Sequence, residues 1–194
     1  MMAAPDNLRT GSWLYRGNQN YFDRTRFAGC LLGIRKSIRL KNVIQMKIAV
    51  SSDERAPLVD ALIHDLRNRG HEVLYFGPEE EGGSADWPDV TLEAIGRVTQ
   101  GDADEAIVLC WTGTGCSIAA NKVPGIRAAL CQDAETARGA RIWNHANVLA
   151  LSLRTTSPSV LSEILDRWFE TPYSDDEWNL KQIRRIQKLD DGRG

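Results

Sequence analysis

From Met46 onward the chain switches repeatedly between two hydrophobic periods. Short apolar runs of strand length occupy Lys47–Ser52, Glu72–Phe76, Glu105–Cys110, Arg127–Cys131 and Asn147–Ser152. Between them lie segments with the 3.6-residue period of an amphipathic helix. Residues 57–68 set Leu58, Leu62, Ile63 and Leu66 on one face and stop at Gly70. Residues 88–99 begin with proline, which suits a first helical turn. Further helices are predicted over 117–122, 134–142, 159–169 and 177–189, and residues 77–87 form an acidic, turn-rich loop. The run Glu105–Cys110 is almost wholly apolar, which predicts a central strand buried on both faces. Alternating strands and helices specify an α/β fold with a mainly parallel, five-stranded sheet covered on both sides. No internal repeat or low-complexity tract interrupts it.

Residues 1–45 break this rhythm. They lack a period, are rich in Arg, Asn and Gly, and carry eight basic against two acidic side chains. A transit peptide would share that composition. The preferred reading is a disordered extension upstream of a functional start at Met46, with one domain over residues 46–194. The whole chain has a net charge of −2, so the charge of the remaining part is negative. An acidic domain excludes nucleic acid as the main partner. No apolar run approaches the roughly 20 residues that span a bilayer. The four cysteines, Cys30, Cys110, Cys116 and Cys131, form no CxxC pair, and no His cluster completes a metal pattern. Two of them end apolar runs, which predicts reduced thiols and a cytoplasmic protein.

In open α/β sheets ligands collect beyond the carboxyl ends of the strands. Ser51-Ser52-Asp53, Cys110 and Gln132-Asp133 all fall there. Cys110 is the leading candidate for chemistry, because Thr112-Gly113-Thr114-Gly115 follows it and opens a helix. Free backbone N–H groups at such a turn favour a thiolate, and would also hold an oxyanion formed by proton abstraction beside a carbonyl. The competing reading is a buried strand-end cysteine packed as a small hydrophobe. Asp53 is either a helix N-cap or a group that polarises a sugar hydroxyl. Asn144, His145 and Asn147 lie where capping is common, while His145 is also a candidate general acid. His64 and His71 read as surface residues. Lys181, Arg184 and Arg185 read as a solvated face.

The words Cys110-x-Thr112-Gly113-x-Gly115, Ser117-Ile118-Ala119-Ala120-Asn121-Lys122, Gly125-Ile126-Arg127-Ala128 and Ala146-Asn147-Val148-Leu149-Ala150 occur in this order. With weaker echoes at Ser52-Asp53 and Asp86-Trp87-Pro88-Asp89, they resemble the type B ribose-5-phosphate isomerases and their galactose-6-phosphate isomerase relatives over residues 46–189. The resemblance implies a Rossmann-like α/β/α sandwich, a homodimer or tetramer with shared active sites, and no metal or organic cofactor. It also implies aldose–ketose interconversion of a sugar or sugar phosphate through an enediolate. Cys110 would move the proton between C1 and C2, assisted by Thr112. Gly113, Thr114, Gly115 and Ser117 would line the enediolate, and Asp53 would bind hydroxyls.

Other positions depart from the family pattern. Glu54 replaces a phosphate-facing histidine, Trp111 replaces a glycine, and Trp143 stands where a ring-opening histidine is usual, with Asn144 and His145 following. Glu177 and Lys181 occupy positions of phosphate-binding arginines. Because a phosphate dianion favours Arg, His⁺ and N–H donors, these changes predict a rebuilt phosphate half. Arg55, Arg138, Arg141 and Arg184 are candidates to supply it. Two other readings stand beside the isomerase: a silent sugar-binding or regulatory homologue, and one subunit of a hetero-oligomeric isomerase.

Overall fold

The computed structural model describes residues 45–192. Five strands alternate with six helices in chain order: β1 (Lys47–Ser52), α1 (Pro57–Asn68), β2 (Glu72–Phe76), α2 (Trp87–Thr99), β3 (Glu105–Cys110), α3 (Thr114–Ala120), β4 (Ala128–Leu130), α4 (Ala134–Asn144), β5 (Val148–Ser152), α5 (Pro158–Glu170) and α6 (Glu177–Asp191). The strands form one all-parallel sheet in the order β2-β1-β3-β5-β4. β3 is central, as its unbroken apolar run predicts.

The two-residue period of the strands divides the core into two layers. Ile48, Val50, Ile107, Leu109, Leu149 and Leu151 face a layer built with Leu62, Ile164 and Trp168 of α1 and α5. Ala49, Ala106, Val108, Cys110, Val148 and Ala150 face the opposite layer, with Ala94, Ile95, Cys116 and Ala120 of α2 and α3. Small side chains on this second face let α2 and α3 approach the sheet closely. The result is a three-layer α/β/α sandwich. The chain leaves β1 toward β2, then returns to place β3 on the other side of β1. That reversal opens a crevice at the carboxyl ends of β1 and β3, where ligands collect in doubly wound folds.

Several local expectations shift. α3 starts at Thr114, three residues earlier than the hydrophobic pattern indicates. Gly113 caps it with φ +75°, so the glycine turn feeds directly into the helix. α1 is capped by Ala56, with no side-chain cap, so Asp53 is free of that duty. Asp133 accepts a hydrogen bond from Thr136 N and caps α4, a structural role for a residue grouped by sequence with the ligand-facing ends. His64 is exposed, but His71 is buried. Its ring packs against Phe169, 4.5 Å between centroids, and its Nδ1 accepts from Met46 N. Residues 1–44 lie outside the described part, and with them the reading of an N-terminal extension. Among the described residues no helix is long and apolar enough to cross a membrane.

Candidate active site

The turn after β1 is built by Ser52, whose hydroxyl donates to the Glu54 carbonyl (2.7 Å) and accepts from Glu54 N. The next residues are pinned to the acidic loop. Ala85 N donates to Asp53 O at 2.7 Å, Arg55 N donates to Gly83 O at 3.1 Å, and Glu54 bridges Ser84. These bonds fix the backbone and leave the Asp53 carboxyl uncommitted: Oδ1 is buried without a partner among the described residues. Burial, and secondly the charge of Cys110, raise the Asp53 pKa to about 6.

Cys110 ends β3 with 5% of its surface exposed. Its carbonyl accepts from Gly113 N (3.2 Å) and Leu153 N (3.0 Å), and the Trp111 carbonyl accepts from Arg154 N and Ser152 Oγ, both at 3.0 Å. The loop is thereby strapped to the end of β5. Gly113 is obligatory there. Besides its positive φ, a Cβ would lie 2.5 Å from Leu130 Cδ1 and 2.9 Å from the Leu151 carbonyl. A hydrogen bond from the Cys116 thiol and N–H groups of Cys116, Gly113 and Thr112 outweigh burial and bring the Cys110 pKa down to about 5. The proton of the pair resides on Cys116, whose own ionisation is pushed far upward by donating to Cys110 and by burial.

The surroundings divide the remaining candidates into two groups. At the Cys110 end, Thr112 and Thr114 are exposed and their hydroxyls lie 2.7 Å apart. Gly113 N–H donates to the Cys110 carbonyl, and Thr114 and Gly115 open α3 directly after it. Ser117 sits partly exposed on α3. Trp111 is 55% exposed. Trp87, at the start of α2, lies over Gly115, whose Cβ position would be 3.2 Å from the indole.

The second group lies at the other end of the sheet. Trp143, Asn144 and His145 close α4 and precede the amino end of β5. Because all strands are parallel, the chain holds them at the end opposite Cys110. His145, at φ +50°, stacks on Tyr173 (4.7 Å) and shares a hydrogen bond between Nε2 and the Ser174 carbonyl (2.8 Å). That carbonyl only accepts, so Nε2 carries the proton. Asn147 braces Arg127 N and Gly125 O, the turn chemistry expected of it. Lys181 is exposed on α6.

The arginines proposed for a relocated phosphate site are already paired. Arg55 pairs with Asp60, Arg138 with Glu135, Arg141 with Glu105, and Arg184 with Glu177. Arg154 is different. It follows β5, is exposed beside the Trp111 strap, and has no ion-pair partner among the described residues. The structure brings Arg154, Trp87 and Cys116 to the Cys110 loop, none of which sequence reasoning singled out as a candidate. The signal for Arg154 was its place just beyond a strand's carboxyl end. For Cys116 it was a second thiol one helical turn into the element that Cys110's loop opens. Among the described residues no group of three or more His, Cys, Asp or Glu side chains converges as a metal site would require.

Residues 48–189 match the family described as Ribose/Galactose Isomerase. The chain is 35% identical over 145 residues to galactose-6-phosphate isomerase subunit LacB of Clostridium acetobutylicum, covering 74% of this chain and 83% of that protein. It is 34% identical over 129 residues to D-erythrulose-4-phosphate isomerase of Pectobacterium atrosepticum, covering 66% and 85%. The solved type B ribose 5-phosphate isomerase of Trypanosoma brucei superposes with a TM-score of 0.71 at 40% identity, covering 75% of this chain and 99% of that one.

Proposed function

As this chain belongs to the ribose/galactose isomerase family, we propose that it interconverts an aldose and a ketose phosphate, with Cys110 as the carbon acid's base. The observation that carries this is a strand-end thiol, Cys110, next to a partly buried carboxyl, Asp53, at the adjacent carboxyl ends of β3 and β1 at the topological switch point; the thiol's pKa is lowered to about 5 and the carboxyl's raised to about 6. Near neutral pH the Cys110 thiolate takes the proton from C2 of the open-chain aldose and returns it to C1, or the reverse. The charge that develops on oxygen is met by the Thr114–Gly115 segment of the loop, with the Thr112 hydroxyl beside it. Asp53, protonated in a fraction of molecules, is the general acid for ring opening, because it shares the Cys110 end of the protomer and His145 does not.

Arg154 is the cation best placed for the phosphate, since the other candidates are neutralised within the protein. Trp111 and Trp87 supply apolar walls. Glu54 sits where the resemblance leads one to expect a phosphate-facing histidine, so the phosphate is bound from a different side. Trp143, Asn144, His145 and Lys181 reach a Cys110 crevice only if a second copy delivers them, which supports a homodimer with shared sites. A second reading, a subunit of a hetero-oligomer, is favoured by one observation: four of the five replaced positions, Glu54, Trp143, Glu177 and Lys181, lie outside the Cys110 loop, so a different partner chain would complement them.

The test is isomerisation of a panel of aldose and ketose phosphates and free sugars by the purified protein and by Cys110→Ala. Turnover of a phosphorylated sugar, reduced by about 10²–10⁴-fold in the variant, is expected for loss of a general base. Turnover equal in both proteins would overturn the assignment.

A further inference from the structure

The Cys110 loop holds a second thiol that the isomerisation does not consume. Cys116 is fully buried on the first turns of α3 and belongs to the same core layer as Cys110. Its sulfur lies 3.2 Å from the Gly113 carbonyl and 3.6 Å from the Val108 carbonyl. Those two carbonyls bracket Cys110: Val108 precedes it by two residues on the same face of β3, and Gly113 N donates to the Cys110 carbonyl. Cys116 is thus folded back under the strand end. Its thiol donates to these carbonyls, and its nearness to Cys110 lowers the Cys110 pKa while raising its own. Cys131 belongs to the layer on the other face of the sheet, so it takes no part in this pairing.

We propose that Cys110 and Cys116 are a reversible redox pair, in which a hydroperoxide converts the active site to a Cys110–Cys116 disulfide and switches the isomerase off. The Cys110 thiolate attacks the peroxide and breaks its O–O bond. Cys110 becomes a sulfenic acid and hydroxide leaves. The Cys116 thiol then bonds to the Cys110 sulfur and the sulfenic oxygen departs as water. Two electrons have passed from the two sulfurs to the peroxide. A dithiol reverses the step by exchange through a mixed disulfide. In the bridged form Cys110 has no thiolate to receive a carbon-bound proton. The bridge also protects the sulfur, because a sulfenic acid captured by a neighbouring thiol does not advance to the irreversible sulfinic state. The off-switch rests on Cys110 being the base, whereas formation of the bridge does not.

The experiment treats the full-length protein with hydrogen peroxide, maps its cysteines by mass spectrometry without reductant, and assays isomerisation before and after dithiothreitol. The expected result is a Cys110–Cys116 crosslinked peptide with activity lowered by about 10²-fold or more, the cost of losing a general base, and restored by dithiothreitol. In Cys116→Ser, the same treatment should carry Cys110 to the sulfinic acid, and dithiothreitol should no longer reverse it. Free thiols at both positions, sulfinic acid at Cys110 of the unmodified protein, or a bridge to Cys30 or Cys131 would each overturn the proposal. The unmodified protein alone decides this if Cys116→Ser fails to fold. A crosslink that forms in a protein without isomerase activity upholds the pair and contradicts the proposed function instead.

Discussion

At the residue scale, the site depends on where two protons sit. The neighbouring Cys116 thiol and the backbone N–H groups of Cys116, Gly113 and Thr112 lower the Cys110 pKa more than burial raises it. Burial prevails at Asp53, which retains its proton well above the ordinary carboxylate range. The pair therefore sets an ionised thiol beside a carboxyl that is partly protonated just below neutral pH. For the thiol the sign is simple: the folded pKa lies below the usual value, so the thiolate persists as pH falls until it is lost near 5. Alkylation of Cys110 by iodoacetamide should keep a nearly constant rate from pH 8 down to about 6, whereas an ordinary thiol slows tenfold per unit below its pKa of about 8.5. Peptide mapping separates Cys110 from Cys131, whose thiol burial pushes up to about 12. A midpoint near 8–9 for Cys110 would contradict the assigned donors. Cys110 and Asp53 were legible in the sequence because one ends a strand and the other directly follows one. Cys116 and Arg154 were not, because their significance depends on which side of the loop they face and on which arginines find carboxylates elsewhere.

At the element scale, the glycine turn between β3 and α3 does most of the positioning. Gly113 supplies a left-handed residue, a close approach to Leu130 and Leu151, and the N–H that reaches Cys110. Gly113→Ala should destabilise the fold by about 1–3 kcal/mol in urea unfolding, from overpacking alone, and should also raise the pH at which Cys110 becomes reactive. Unchanged stability together with an unchanged reactivity profile would show the turn to be dispensable. The strands were readable from their two-residue period, and the helices from their apolar stripes. The start of α3 was not, since glycines ordinarily signal a turn, and here the αL residue itself initiates the helix. His71 was misread for a related reason: Phe169, almost a hundred positions away, covers it.

At the scale of the molecule, parallel strands separate the chemistry. Cys110 and Asp53 stand at the carboxyl ends, and the α4–β5 turn stands at the amino ends. That turn is held by a buried brace. Arg141 Nη1 pairs with Glu105 (2.6 Å), donates to the Ala146 carbonyl and Tyr173 hydroxyl, and packs on Trp168 and Tyr173. A rigid turn aimed away from its own protomer's base is suited to serve a neighbour. Exposed Trp178, Ile118 and Leu189 provide apolar area for such an association. If sites are shared and turnover needs the His145 that a second copy delivers, Cys110→Ala and His145→Ala chains, each inactive alone, should regain up to about a quarter of full activity when refolded together as a random mixture of dimers. No recovery on mixing would place every required group within one protomer. The overall topology was legible from the sequence, but the separation of the site residues was not, because resemblance groups them by role and the fold places them by strand direction.

The central claim is that the Cys110 thiolate moves a proton between adjacent carbons of a sugar phosphate. Its most direct test is NMR of candidate aldose and ketose phosphates incubated with the protein in D₂O, with Cys110→Ala as control. Deuterium entering C2 of the aldose or C1 of the ketose, and absent with the variant, is the predicted result. Isomerisation without solvent deuterium in either product, or exchange that persists in Cys110→Ala, would contradict it.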